Sequence, residues 1–219
     1  MREYEGNFAY DLIQQDIEKN FHVYIEKNPN EIKNIVIVGA FTGNEIFHFL
    51  NNYPNAIIYA FEAYIKNFNR LIDNFKNQPR VKCFNVAISD KEDFINFYEL
   101  GLEGNGSLLN PIQSQTVIDI VKVKTMKLES FISEIIDLLW VDVQGAEMQV
   151  LKGININLIE SLFLEVTVPN DKVPYDNNIF IDELIEYLKP THTLHSIGLD
   201  IPKTSGNAFW NRNNFNKGD

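Results

Sequence analysis

The sequence predicts a doubly wound α/β domain built on a mostly parallel, seven-stranded sheet with helices on both faces. Three observations carry this expectation. Ile35-Val36-Ile37-Val38 is an unbroken β-branched run, the composition of a strand buried on both faces. Strand-like and helix-like segments then alternate, which right-handed crossovers convert into a parallel sheet. A second buried run, Leu138-Leu139-Trp140-Val141, restores the pattern after a break in mid-chain. A chain of 219 residues suits one such domain, spanning 1–219.

The elements follow in order. Ile13, Ile17, Phe21 and Tyr24 recur at helical spacing and predict an amphipathic helix over residues 10–25. It belongs to an N-terminal lead-in of residues 1–30, closed by Asn28-Pro29-Asn30. The first strand breaks into Gly39-Ala40-Phe41-Thr42-Gly43 and a helix containing Ile46, Phe47 and Leu50, which Pro54 ends. Residues 56–61 form the second strand, and Tyr64, Phe68, Leu71, Ile72 and Phe75 mark one face of the next helix. Residues 81–86 form a third strand. Residues 91–125 leave this rhythm. Strands at 94–98 and 117–123, joined by the loop 101–116, read as an excursion at the sheet's edge or over its mouth. The pattern resumes with a strand at 138–143, a helix over 145–152 stopped by Gly153, and a strand at 161–168. A helix carrying Ile181, Leu184, Ile185 and Leu188 follows, and strands at 191–197 and 207–210 read as an antiparallel edge pair.

Composition narrows the function. Hydrophobic residues at 45% and charged residues at 22% describe a folded chain, not a disordered one. The net charge of −11, without any basic run, lacks the Lys and Arg surplus that phosphate backbones demand, so no nucleic-acid partner is expected. No apolar run approaches the ~20 residues of a membrane span. Acidic residues occupy Met1-Arg2-Glu3-Tyr4-Glu5, where a signal peptide needs an apolar segment, so the expected location is cytoplasmic. Cys83 is the single cysteine and reads as a strand core residue, since Lys82 would point to the opposite face. Nothing in the sequence fixes an oligomeric state.

Chemistry concentrates at strand ends. The turn Gly39-x-x-x-Gly43 follows a strand and opens a helix, a geometry that lets backbone approach a ligand. A dinucleotide fingerprint needs glycine at the position Phe41 holds, which speaks against a pyrophosphate and leaves a phosphate-free nucleoside open. Glu62, at the end of the second strand, is placed to accept hydrogen bonds from a ribose diol; a solvated loop acid is the alternative. Asp142 ends an apolar strand at the carboxyl edge of the sheet, with helix capping as its structural alternative. Glu147 lies in the first turn of the following helix, where an acid complements the helix dipole. Glu165 interrupts an apolar strand and must face the mouth or a partner. His22, His48, His192 and His195 show no metal-ligand spacing, and Asp142 with Glu165 is too small a set to define a hard-cation site.

The segment Leu139-Trp140-Val141-Asp142-Val143-Gln144-Gly145-Ala146-Glu147, ending in Val150-Leu151-Lys152-Gly153, resembles the D-V-x-G-A-E motif of FkbM-type methyltransferases. Phe61-Glu62-Ala63 is similar to the family's F-E-P, Ala87-Ile88-Ser89-Asp90 to its A-x-S-D, Gly106-Ser107-Leu108-Leu109 to its G-S-x-L, and Leu164-Glu165-Val166 to its I-E-V. The likeness covers about residues 35–170. Where the family's first strand usually ends in D-V-G-A-N, this chain has Ile37-Val38-Gly39-Ala40-Phe41. Ala63 replaces the usual Pro, and Glu129 stands where an Asp is common.

The resemblance implies a Rossmann-like class I methyltransferase fold and S-adenosylmethionine as cofactor. On that reading Gly39, Ala40, Phe41 and Gly43 surround its methionine and ribose, Glu62 with Ala63 meets the ribose, and Asn85, Val86 and Ala87 border the adenine. Ser107 reaches in from the overlying loop. Asp142 and Gln144 sit beside the sulfonium, and Asp142 or Glu165 takes a proton from the acceptor hydroxyl. The implied reaction is O-methylation of a small molecule, sugar or glycan. An NAD-dependent oxidoreductase and a cofactor-binding protein without catalysis are the alternatives.

Overall fold

The computed structural model describes residues 21–101, 104–112, 115–168, 175–176, 178–199 and 205–213. Its centre is β1 (Asn34–Val38), where every side chain after Asn34 is buried, as the β-branched run requires. β1 pairs in parallel with β2 (Ile57–Phe61) on one side and with β7 (Ile136–Val141) on the other. The seven-stranded sheet has the order β3-β2-β1-β7-β8-β10-β9. Here β3 is Val81–Phe84, β8 is Ile159–Thr167, β9 is His192–Leu199 and β10 is Ser205–Arg212. Only β10 runs against the rest, inserted antiparallel between β8 and β9. The sheet is thus mostly parallel and seven-stranded, as the sequence predicts. Because the chain leaves β1 toward one edge and later returns beside it, the carboxyl ends of β1 and β7 form a switch point, where open α/β sheets bind ligands.

Among the described residues, four helices cover the two faces: α1 (Asn44–Asn52) and α2 (Ile65–Phe75) on one, α3 (Glu147–Lys152) and α4 (Ile181–Leu188) on the other. Alternate residues of each strand feed opposite cores. Ile35, Ile37, Leu138 and Trp140 pack with Phe49 and Leu71, and the Trp140 ring stacks on Phe163 at 3.6 Å between centroids. Val36, Val38, Leu139 and Val141 pack with Val150 and Leu184 on the other side. The buried Asp137 carboxylate pins the start of β1 by accepting from the Lys33 and Asn34 backbone N–H groups and from the Lys27 ammonium.

The mid-chain excursion folds as a second sheet of three strands in the order β4-β6-β5: β4 is Ala87–Ile88, β5 is Asp93–Glu99 and β6 is Asp119–Met126. It is clasped to the start of α2. Tyr64 stacks on Phe97 with centroids 5.8 Å apart, its hydroxyl donates to Asp119 at 2.8 Å, and Lys66 reaches the same oxygen at 3.1 Å.

Three expectations are corrected. The third strand does not run to residue 86. The Asn85 amide turns back to donate to the Glu62 and Ala63 carbonyls, the ladder ends at Phe84, and residues 87–88 join the second sheet. The helix expected over 145–152 starts only at Glu147, because Gln144 and Gly145 hold positive φ values of 56° and 95°. The end of the lead-in, Phe21–Val23, is a 3₁₀ turn, which brings Phe21 edge-on to Trp140 and Phe49; residues 10–20 of that helix lie outside the described residues.

Candidate active site

The floor of the site is two interlocked turns. After β1 the chain turns through Gly39, at φ +85°, and Phe41, at φ +48°. The Gly39 and Ala40 N–H groups both donate to the Phe61 carbonyl at the end of β2. After β7 the second turn begins when the Asp142 N–H donates to the Val38 carbonyl at 3.0 Å. The two meet at Gly39, where a Cβ would lie 1.7 Å from the Asp142 carbonyl oxygen, so only glycine fits. Phe41 stands where the resembled family has Asn, a residue that tolerates the left-handed region better. The Phe41 N–H is held there by a 2.8 Å bond to the Glu62 carboxylate.

Glu62 is the hinge between turn and wall. Only 5% exposed, it accepts from Phe41 through one carboxylate oxygen and from the Tyr64 N–H through the other, also at 2.8 Å. Burial pushes its carboxyl up to about 7, against those two N–H donors and with help from the charges of Glu99 and Asp142. Each oxygen keeps a second lone pair, so a diol can still donate to it.

Asp142, Gln144 and Glu165 form one group. The Gln144 side-chain amide donates to Asp142 at 2.8 Å and to Glu165 at 2.9 Å, which uses both of its N–H donors. Asp142 is exposed on the cleft side yet ringed by protein, and this desolvation raises its carboxyl above the ordinary value. Glu165 is raised well above its own, first by burial and then by the charges of Asp142 and Glu147. Two acids this close share protons as a pair. Capping is not Asp142's task. The loop N–H groups of Val143 and Gly145 donate instead to Glu147, at 3.3 and 3.1 Å, and burial lifts that carboxyl to about 7.

A cleft opens above this floor, with Gly39, Phe41, Glu62, Ala63, Asp142 and Val143 along it. One wall is apolar, made by Val86, Ala87, Ile88 and Phe97, and the roof is Gly104, Gly106 and Leu108 from the excursion. Gly39, Phe41, Glu62, Ala63, Val86, Ala87 and Asp142 therefore share one cavity. The other positions fall elsewhere. Ala40 is fully buried in the core, and the free side of Gly43 faces Phe75 and Leu71. The amide of Asn85 is committed to the two β2-end carbonyls. Ser107, 1% exposed, donates to the Gln144 carbonyl and accepts from the Leu109 N–H, so its hydroxyl fastens the roof to the floor. Gln144 and Glu165 stand behind Asp142.

Two buried groups had no place in the sequence reading. Tyr175, 2% exposed, donates to the Asn105 carbonyl at 2.7 Å, and burial and the surrounding carboxylates raise its hydroxyl. Glu99, at the end of β5, is 6% exposed. Its signal was available in the alternation of β5, where Ile95, Phe97 and Glu99 share one face.

A phosphate-free nucleoside fits these residues: an apolar slot for a base, a buried acid at a strand end for a ribose, and a carboxylate beyond it for a cation. Among the described residues no three His, Cys, Asp or Glu side chains converge on a metal site. The sheet order, the glycine turn and the acid after β2 define a nucleoside-cofactor α/β enzyme of the methyltransferase type.

Comparison with known proteins makes this specific. The methyltransferase FkbM domain matches residues 38–192, and the chain belongs to that family. It is an S-adenosylmethionine-dependent methyltransferase, which sets the oxidoreductase alternative aside. The 2-O-methyltransferase NoeI of Sinorhizobium fredii is 28% identical over 171 residues, covering 70% of each chain. An rRNA methylase from Streptococcus thermophilus shares the fold with a TM-score of 0.53 at 11% identity, over 91% of this chain and 98% of that one. A Streptococcus mutans protein crystallised with S-adenosylhomocysteine gives 0.55 at 12%, over 92% and 99%.

Proposed function

We propose that this protein methylates a hydroxyl oxygen of a neutral small molecule, sugar or glycan in the cytoplasm, with Asp142 receiving the hydroxyl proton. The observation that carries the reading is the Asp142–Gln144–Glu165 group at the cleft floor. It is a paired acid whose outer member faces the cavity and whose inner member is held behind it by one amide. S-adenosylmethionine supplies a methyl carbon already activated by its sulfonium. When bound, it would give that methyl to the acceptor oxygen and leave with the carbon–sulfur electron pair, while Asp142 would take the hydroxyl proton. Alignment in such a site is worth about 7–11 kcal/mol. A positioned base adds about 10²–10⁴-fold, roughly 3–6 kcal/mol at ~1.4 per decade. The rigid floor thus contributes more than the base.

Oxygen as the acceptor atom is supported by NoeI, named as a 2-O-methyltransferase. A neutral acceptor is supported by charge. Glu62 and Asp142 line the cleft, and the chain carries −11 overall, which opposes a phosphate-rich acceptor such as RNA. Incubation with S-adenosylmethionine and matched panels of neutral sugars, acidic sugars and RNA tests this, with S-adenosylhomocysteine formation as readout. Turnover on RNA alone would overturn the neutral-acceptor reading.

Glu62→Gln should weaken S-adenosylhomocysteine binding by about 1–3 kcal/mol, the scale of a hydrogen bond to a charged group. Calorimetry on the folded variant decides, and unchanged affinity removes Glu62 from the ribose.

The raised carboxyls also predict how pH acts. Glu62 and Glu147 hold protons up to about 7 when folded but lose them near 4.5 when unfolded. As pH climbs through that window the unfolded state sheds protons first, so the free protein loses stability, and the full cost remains above about 7. A bound cation pulls these pKa values back down, so cofactor binding releases protons. Affinity for S-adenosylmethionine should rise between pH 5.5 and 7.5 and then level off. S-adenosylhomocysteine, one positive charge poorer, should show a shallower slope. Parallel slopes for the two ligands would count against a carboxylate cluster around the sulfonium.

A further inference from the structure

The geometry points to Glu99 as a second cofactor-binding carboxylate, delivered from the roof and directed at the nucleoside. This rests on the cofactor reading of the cleft and extends it to a residue outside every recognised motif. Glu99 is 6% exposed, and its Oε2 has no hydrogen-bond partner. Buried polar atoms in folded proteins are nearly always paired, so an orphaned carboxylate oxygen beside a cavity marks the place of a missing donor. The cavity is close by. Phe97, two residues earlier on the same face of β5, lines it, and so does Gly106. A Cβ on Gly106 would sit 2.9 Å from that Oε2 and 2.4 Å from the Phe97 ring, so glycine there keeps the approach from the roof open.

Glu99 also lies close enough to the ribose-end acid to act on it: of the charged groups that raise the Glu62 carboxyl, Glu99 comes first, ahead of Asp142. The nucleoside brings three donor groups, two ribose hydroxyls and an exocyclic amine. Against these, the side chains lining the cleft are apolar apart from Glu62, Asn67 and Asp142. The Glu99 backbone is fixed by β-ladder pairing opposite Asp119, and Asp119 is clasped by Tyr64 and Lys66. The acid is therefore presented by a rigid strand.

The test is calorimetric binding of S-adenosylhomocysteine and of 5′-methylthioadenosine, which keeps the nucleoside but lacks the amino-acid part. Wild type and Glu99→Gln are compared, with melting temperature as the folding check. Loss of about ten-fold in affinity for both ligands is expected, the lower end for a charged hydrogen bond. A variant that melts lower but binds both ligands normally would make Glu99 a structural residue and overturn the assignment. Weakened S-adenosylhomocysteine with unchanged 5′-methylthioadenosine would also overturn it, by moving the contact to the ammonium. Should Glu99→Gln fail to fold, Gly106→Ala, which blocks the same approach from the opposite side, must weaken both ligands equally. Failure of the wild type to bind either ligand would instead defeat the cofactor reading itself.

Discussion

Gly39→Ala is expected to cost the fold about 2–5 kcal/mol and to abolish cofactor binding. Two penalties add. An L-residue at φ +85° pays about 1–2 kcal/mol for its left-handed backbone. A methyl group forced to 1.7 Å from the Asp142 carbonyl oxygen adds an overpacking cost of about 1–3 kcal/mol, because it meets backbone and not a side chain that can swing away. For a chain of this size the sum corresponds to a melting temperature lower by roughly 4–20 °C. Binding suffers separately. Relief of the clash must push the β7 turn away from the β1 turn, displacing Asp142 from the cleft floor. Differential scanning calorimetry with and without S-adenosylhomocysteine reads both effects. A variant with wild-type melting temperature and an intact ligand shift would show that the two turns are not interlocked.

Asp142→Asn separates chemistry from structure. The side chain is exposed toward the cleft and accepts from the Gln144 amide and from the Glu165 carboxyl, both of which an asparagine oxygen can still accept. Helix capping is no obstacle, since Glu147 collects the loop N–H groups. The melting temperature should hold while single-turnover methyl transfer falls by about 10²–10⁴, the range of a lost general base. Glu165→Gln should give a smaller loss, because Glu165 acts only through Gln144 and its partner acid. A well-folded Asp142→Asn with full turnover would transfer the base to Glu165. Lowered stability with normal turnover in the folded fraction would make Asp142 structural.

The sheet was legible in the sequence where burial alone dictates composition. Ile35 to Val38 and Leu138 to Val141 are apolar on both faces because both faces are covered. Glu62 and Asp142 were legible because an acid directly after such a run can only sit at a strand end. What was not legible depended on contacts between distant segments. Asn85 looks like one more strand residue until its amide finds the Glu62 and Ala63 carbonyls. Ser107 looks free to meet a ligand until the excursion folds and delivers its hydroxyl to Gln144. Ala40 and Gly43 share a turn with Gly39, but the first packs into the core and the second against α2. Position within a loop says little about which way each residue faces. Glu99 could be found only by combining the alternation of β5 with knowledge of which face lies over the cleft.

The fastening of roof to floor bears on how quickly the enzyme can run. Gly104, Gly106 and Leu108 cover the cleft, and that stretch is tied down by Ser107 on the Gln144 carbonyl and by Tyr175 on the Asn105 carbonyl. Both are bonds between uncharged groups, each worth about 1 kcal/mol net. Parting the pair slows escape of spent cofactor by only one or two powers of ten relative to an untethered loop. The Gln144 tether ends on the residue whose amide holds the acid pair, so residence time and proton transfer share a single anchor. On the proposed mechanism, a cover latched this lightly would shield the reacting atoms from water during a turnover and release before the next.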